Sequence, residues 1–220
     1  MNVLQFVIDN AGVLVEEALG TLLLSAVSMA IAIAIGLPLG AWVGHLHRFS
    51  SLAINGSNVL RALPTLALVA IMIPIIGFGF ANMAIALVVL GLPLILTNSF
   101  AAVEGVDPGI VEAARGMGMT DWQILSRVEL PNAIPLIMTG IKVAWVFVVA
   151  TAYLAVFAGS PGTLGDIIGN PSGYGQVGIL GAALVSMALA LLGFFLLGAL
   201  ERGIMPRGLT LARVAATAPA

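Results

Sequence analysis

The sequence predicts an all-α membrane protein with five transmembrane helices, its N-terminus outside and its C-terminus in the cytoplasm. Three observations carry that expectation. Apolar residues form 60% of the 220 positions and charged residues 8%, against roughly half and about a quarter in soluble domains. Uncharged runs long enough to cross a bilayer recur along the chain. Arg and Lys gather in segments that one topology places on a single side. Mean hydropathy is +1.15. The net charge of −2 by itself points to neither nucleic acid nor acidic ligands, and no nucleic-acid partner is expected. Cysteine is absent, which excludes disulfides and thiolate metal sites.

A spanning helix needs about 20 apolar residues for a hydrocarbon core of ~30 Å. Residues 1–16 are expected as an extracytoplasmic segment, and the first span covers about 19–44. No Lys or Arg precedes Arg48, so this run lacks the basic start of a cleaved signal and is expected to stay. Residues 62–103 carry no charge; as one helix they would measure about 63 Å, twice a membrane. The stretch GFGFAN at 77–82 supplies a turn, because glycine tolerates conformations forbidden to other residues. Spans at 63–76 and 83–100 result. A fourth is expected at 133–157 and a fifth at 177–200, leaving a tail at 201–220. Pro38, Pro64, Pro74, Pro93 and Pro135 are expected to kink or delimit helices.

Orientation follows from the accumulation of Lys and Arg on the cytoplasmic side. With the N-terminus outside, Arg48, Arg61, Arg115, Arg127, Arg202, Arg207 and Arg213 all fall inside. Lys142 then sits in the inner half of span four. The outside holds Asp9, Glu16, Glu17 and Asp166.

The segment 104–131 becomes a cytoplasmic loop with legible local signals. Asp107-Pro108 reads as an N-cap with proline at the first helical position. Gly116 and Gly118 end that helix. Thr120 with Gln123 three residues on reads as a capping box. Trp122, Leu125 and Val128 recur at helical spacing as one apolar face, and Pro131 closes the second helix. An amphipathic segment resting on the bilayer is the plainer reading. Sparse basic charge interspersed with acids fits docking to a cytoplasmic protein better.

The residues Glu112-Ala113-Ala114, Gly118, Val128 and Leu130-Pro131 have the spacing EAA-x3-G-x9-V-x-LP. This is similar to the EAA motif of ABC importer permeases, with Val128 in place of Ile. The resemblance implies the type I importer permease fold over 17–200. It also implies a loop, 104–131, in which Glu112, Ala113, Ala114, Gly118, Asp121, Trp122, Val128, Leu130 and Pro131 couple to an ATPase. RALPTLALVA at 61–70, GVDPGIVEAARGMGMTDWQ at 105–123 and VELPNAIPLIMTGIK at 128–142 most resemble the osmoprotectant permeases. Those move glycine betaine, choline, carnitine or proline betaine across the plasma (inner) membrane of a prokaryote. The stretch AGSPGTLGDIIG at 158–169 departs from that pattern by an added Ser160-Pro161.

The implied partners are a cytoplasmic ATPase dimer, a second permease chain, identical or homologous, and an extracytoplasmic solute-binding protein. No G-x4-G-K-[ST] loop is present, since the single lysine, Lys142, follows Ile141. The chain is therefore expected to be no enzyme and to hold no cofactor, with ATP and Mg used by the partner. A permease for methionine or another amino acid shares the fold and motif and stays open. A secondary transporter would call for intramembrane acids or an inverted repeat; a structural scaffold leaves the motif spacing unexplained.

Further residues attract attention. Gly36, Gly40 and Gly44 fall four apart, a pattern that lets helix backbones approach within the bundle or at a subunit contact. Lys142 is expected to snorkel or to pair with a loop acid. Trp145, Tyr153 and Phe157, with Trp42, Phe147 and Tyr174, are candidates to line a path. Aromatic faces attract quaternary ammonium groups, and interfacial or core roles are the alternative. His45 and His47 lie beside Arg48, and no metal site is expected there.

Overall fold

Gly36, Gly40 and Gly44 bring two helix backbones into close contact. In the computed structural model, which describes residues 2–46 and 50–205, they lie on helix α2, Ala11–Leu46. Each faces α5, Phe80–Glu104. A Cβ on Gly40 would stand 2.8 Å from Ser99 Cβ, and one on Gly44 2.7 Å from the Phe100 carbonyl oxygen. Only glycine permits this contact, and the pairing order shows that α2 and α5 run in parallel.

Among the described residues, four helical stretches are long and apolar enough to span: Ala11–Leu46, Phe80–Glu104, Asp121–Val156 and Pro171–Ile204. These contain the expected spans 19–44, 83–100 and 177–200, and all but the last residue of 133–157. The expected span at 63–76 is different in form. Helix α3, Ser50–Ala62, bends by 83° into α4, Thr65–Ile76. Pro64 disfavours helix at Leu63, so α3 cannot continue. At 12 residues, α4 is about 18 Å long, too short to span alone.

Two anchors hold the bent pair along α5. Arg61 donates to Thr97 Oγ1 at 2.7 Å and to the Pro93 carbonyl at 3.3 Å. At the other end, Asn82 Nδ2 donates to the carbonyls of Gly77 at 3.0 Å and Val69 at 3.3 Å. Between these ties α4 runs antiparallel to α5. The expected turn follows, with φ of +84° at Gly77 and +119° at Gly79, which no residue with a Cβ adopts readily.

Helix α8, Leu130–Thr151, returns antiparallel to α5: Gly140 lies against Asn98, and Gly91 against Val148. A 3₁₀ turn at Ala152–Val156 ends it. The Gly79 N–H then meets the Ala158 carbonyl at 2.7 Å. The segment with the added Ser160-Pro161 folds down onto α2, where the Leu164 N–H donates to Thr21 Oγ1 at 2.9 Å. After short helix α9, Leu164–Ile168, helix α10 spans Pro171–Ile204 with a break at Gly175. Helix α1, Val3–Asp9, occupies part of the segment expected ahead of the first span, and Phe6 meets Tyr174 edge-on at 6.3 Å.

Thus α2, α5 and α10 run one way, and α4 and α8 the other. The first and last described residues lie at opposite ends of the bundle. Leu24, Met83, Leu87, Ile95 and Val148 are fully buried where α2, α5 and α8 meet. Lipid is as apolar as these side chains, so close packing and interhelical polar contacts hold the helices together.

Candidate functional site

At the end of the bundle where α2 and α5 finish, residues 105–129 form a folded platform. Asp107 caps α6, Pro108–Gly116, by accepting from the Gly109 N–H at 2.8 Å, and Pro108 occupies a position that needs no donor. Gly118 then reverses the chain with φ +83°. The capping box forms as expected: the Thr120 N–H donates to Gln123 Oε1 at 2.9 Å and the Gln123 N–H to Thr120 Oγ1 at 3.4 Å.

Helix α7, Asp121–Ile124, does not stop at Pro131 as the sequence suggests. It passes through a π turn, Leu125–Glu129, directly into α8. The Leu130 N–H reaches back to the Leu125 carbonyl, and the wider turn absorbs the donor that Pro131 lacks. Asn132 Nδ2 donates to the Val128 carbonyl at 2.7 Å. The widened turn also changes which residues face inward. Trp122 is 67% exposed and Val128 half-buried, while Ile124, Leu125 and Glu129 are buried. The expected apolar face of Trp122, Leu125 and Val128 is therefore split.

The platform presents Glu112, Ala113, Met117, Gly118, Asp121 and Trp122 to solvent, with Ala114 buried beneath and Leu130 and Pro131 half-buried. Arg115 lies 3.6 Å from Asp121 in an exposed pair that adds little rigidity. Between α5, α6 and the π turn a cleft of about 250 Å³ is lined by His45, Val103, Val111, Glu112, Arg115 and Glu129. His45 Nδ1 stands 2.6 Å from Glu129 Oε2. Sequence reasoning passed over this pair. The one signal was Glu129 itself, an acid among apolar neighbours immediately before a proline. His47, Arg48, Arg207 and Arg213 lie outside the described residues. Among the described residues no three His, Asp or Glu side chains gather as a metal site.

Lys142 meets Glu201 Oε2 at 2.6 Å and lies 5.5 Å from the Phe194 ring centroid. The partner is not a loop acid. Helix α10 continues to Ile204, so Glu201 sits in its last turn rather than in the tail. Trp145 is buried between α8 and α10, its Nε1–H donating to the Ala190 carbonyl at 3.2 Å. Tyr153 and Phe157 are exposed, as are Trp42 and Phe147. Tyr153 borders a cavity of about 420 Å³ with Ala150, Ile168, Ser186 and Met187.

Residues 32–206 match the family described as the binding-protein-dependent transport system inner membrane component. The carnitine transport permease protein OpuCB of Listeria monocytogenes is 37% identical, over 96% of this chain and 97% of that protein. The glycine betaine/carnitine/choline transport system permease protein OpuCB of Bacillus subtilis (strain 168) is 32% identical, over 93% and 94%. A solved structure of the MetNI methionine ABC transporter in an inward-facing conformation shares the fold with a TM-score of 0.77. It is 24% identical and covers 90% of this chain and 99% of that one.

Proposed function

The chain belongs to the family of binding-protein-dependent transport system inner membrane components, and we propose that it carries a small osmoprotectant such as glycine betaine, choline, carnitine or proline betaine. It is a multi-pass inner-membrane permease subunit of an ABC importer, and ATP is hydrolysed by a separate partner. The observation that carries the cargo is similarity across nearly the whole chain to permeases named for carnitine, betaine and choline. The methionine transporter structure, at 24% identity, speaks for the fold alone.

In this reading α6 and α7 dock on the ATPase, with Glu112, Ala113, Gly118, Asp121 and Trp122 at the contact. Ala114, Val128, Leu130 and Pro131 hold the platform to the bundle. A folded, capped platform supports this role, because a floppy loop would not transmit displacement. Basic residues at the same end, Arg61, Arg115, Arg127 and Arg202, support a cytoplasmic placement with the N-terminus outside. Two permease chains, identical or homologous, enclose the path. The ATPase pair uses ATP and Mg, and an extracytoplasmic binding protein delivers cargo. Closure of the ATPase dimer draws the two platforms together, and the bundles alternate between outward and inward access. Trp145, Tyr153 and Phe157 are the aromatic candidates for the path; the exposed Tyr153 suits a quaternary ammonium group best.

The experiment reconstitutes permease, ATPase and binding protein in proteoliposomes. Gly118→Pro imposes a φ near −65° where the chain needs +83°. Glu112→Arg reverses the exposed charge. Both are expected to insert normally and to abolish ATP-driven uptake, and unchanged uptake refutes the docking role. For the cargo, the purified binding protein is titrated with glycine betaine, carnitine, choline and methionine. Binding of methionine alone overturns the assignment.

A further inference from the structure

His45 and Glu129 are 84 residues apart in sequence, yet Nδ1 and Oε2 meet at 2.6 Å with side chains 8% and 1% exposed. His45 stands one residue before the end of α2. Glu129 closes the π turn through which α7 enters α8. Such single widened turns inside a helix are frequent at functional sites. Here the widening turns Glu129 to the same side as the buried Ile124 and Leu125. Glu112 and Arg115 border the same cleft from α6, and Arg115 leans towards Asp121 on α7.

Stability alone is a weak explanation for burying this pair. Apolar side chains of similar volume often replace a buried ion pair without loss, whereas deleting one partner strands the other. A short, directional hydrogen bond does something apolar packing does not: it fixes two elements at one separation. We propose that His45 and Glu129 form a positioning joint that locks the end of α2 to the π turn, so that displacement of α6 and α7 moves α2 and α8 as one body. The joint touches neither cargo nor nucleotide and acts through the helices that it connects. The inference rests on the docking role proposed for α6 and α7.

The test uses the complete complex in proteoliposomes and reads three quantities: co-purification of the ATPase, ATP hydrolysis, and cargo taken up per ATP. Glu129→Gln and His45→Gln each remove the charge-assisted contact from one side. Both are expected to keep the ATPase bound and hydrolysis within about twofold of wild type, while uptake per ATP falls about tenfold. The double variant H45M/E129M refills the space without the link. It is expected to melt like wild type and still to transport poorly per ATP.

Recovery of wild-type uptake per ATP in H45M/E129M overturns the proposal, since packing then suffices. Joint loss of assembly, hydrolysis and uptake in both single variants also overturns it, because the pair is then merely structural. Glu112→Arg separates the two readings. If it retains the ATPase, the docking role fails, whatever the joint variants do.

Discussion

The Lys142–Glu201 pair offers a thermodynamic test of how α8 and α10 are held. The two side chains are 16% and 10% exposed, with Nζ and Oε2 2.6 Å apart. Replacing Lys142 by Met leaves the Glu201 carboxylate enclosed without its cation. Breaking a buried pair in this way costs about 3–5 kcal/mol. For a chain of this size, ~3 kcal/mol lowers the melting temperature by about 6–12 °C. Glu201→Met is expected to cost less, because the Lys142 stem can carry its ammonium towards the interface or keep it over Phe194. The double variant K142M/E201M removes both charges at once and is expected to melt within about 1 kcal/mol of wild type. The assay is thermal unfolding of purified protein in one detergent, read as a complete double-variant cycle. Additive losses, with the double variant at the sum of the singles, would refute the reasoning that the pair is buried and coupled.

Three further outcomes follow from local geometry. Gly40→Ala places a methyl 2.8 Å from Ser99 Cβ and 3.1 Å from the Phe100 nitrogen, so α2 and α5 must separate at about 1–3 kcal/mol; melting unchanged from wild type contradicts this. Thr120→Ala removes the cap of α7 at about 0.5–2 kcal/mol. Faster hydrogen exchange at the amides of residues 121–123 is expected, with the bundle core unaffected. Gly193→Ala drives a methyl into the Trp145 indole. In a W42F/W122F background this should shift Trp145 emission as the ring leaves its site against Ala190 and loses its bond to that carbonyl, and an unshifted spectrum would contradict the packing.

Much of the fold was readable because membrane insertion imposes simple demands. Long uncharged runs located the four helices that are long and apolar enough to cross, and glycines four apart marked the α2–α5 contact. Asp107-Pro108 and the Thr120–Gln123 box set the starts of α6 and α7, since caps act over three residues and need no tertiary context. Besides the His45–Glu129 pair, three features escaped that reading, each through a contact distant in sequence or a change of helical pitch. The second crossing was expected as one helix of 63–76. Pro64 instead splits it into α3 and α4, and Arg61 reaches across to Thr97 and Pro93. Pro131 reads as a helix end until a π turn accommodates it. With that turn, residues spaced three apart no longer share a face, so Trp122 points outward. Glu201 reads as tail until α10 runs four residues past its apolar stretch to pair with Lys142.

These long-range contacts fall mostly at one end of the bundle, and that distribution bears on mechanism. Apolar contacts between helices compete with lipid on nearly equal terms, so polar ties set relative position more firmly than their number suggests. At the platform end, α8 is tied to α2 through Glu129 and His45 and to α10 through Lys142 and Glu201. There α3 is also tied to α5 through Arg61 and Thr97. At the opposite end the links are neutral and each has a backbone partner, as between Gly79 and Ala158, Leu164 and Thr21, or Asn82 and the carbonyls of Val69 and Gly77. Glycines with positive φ at positions 77, 79, 159 and 162 punctuate that region. On the proposed docking role, a push on α6 and α7 meets helices already joined, and it is conveyed along α8 with little lost at its root. The glycine-rich end then becomes the region where helices separate, because among the described residues no ion pair must break there. Variants that cut the ties at the platform end should therefore uncouple uptake from hydrolysis, whereas stiffening substitutions at Gly77 or Gly79 should slow both together.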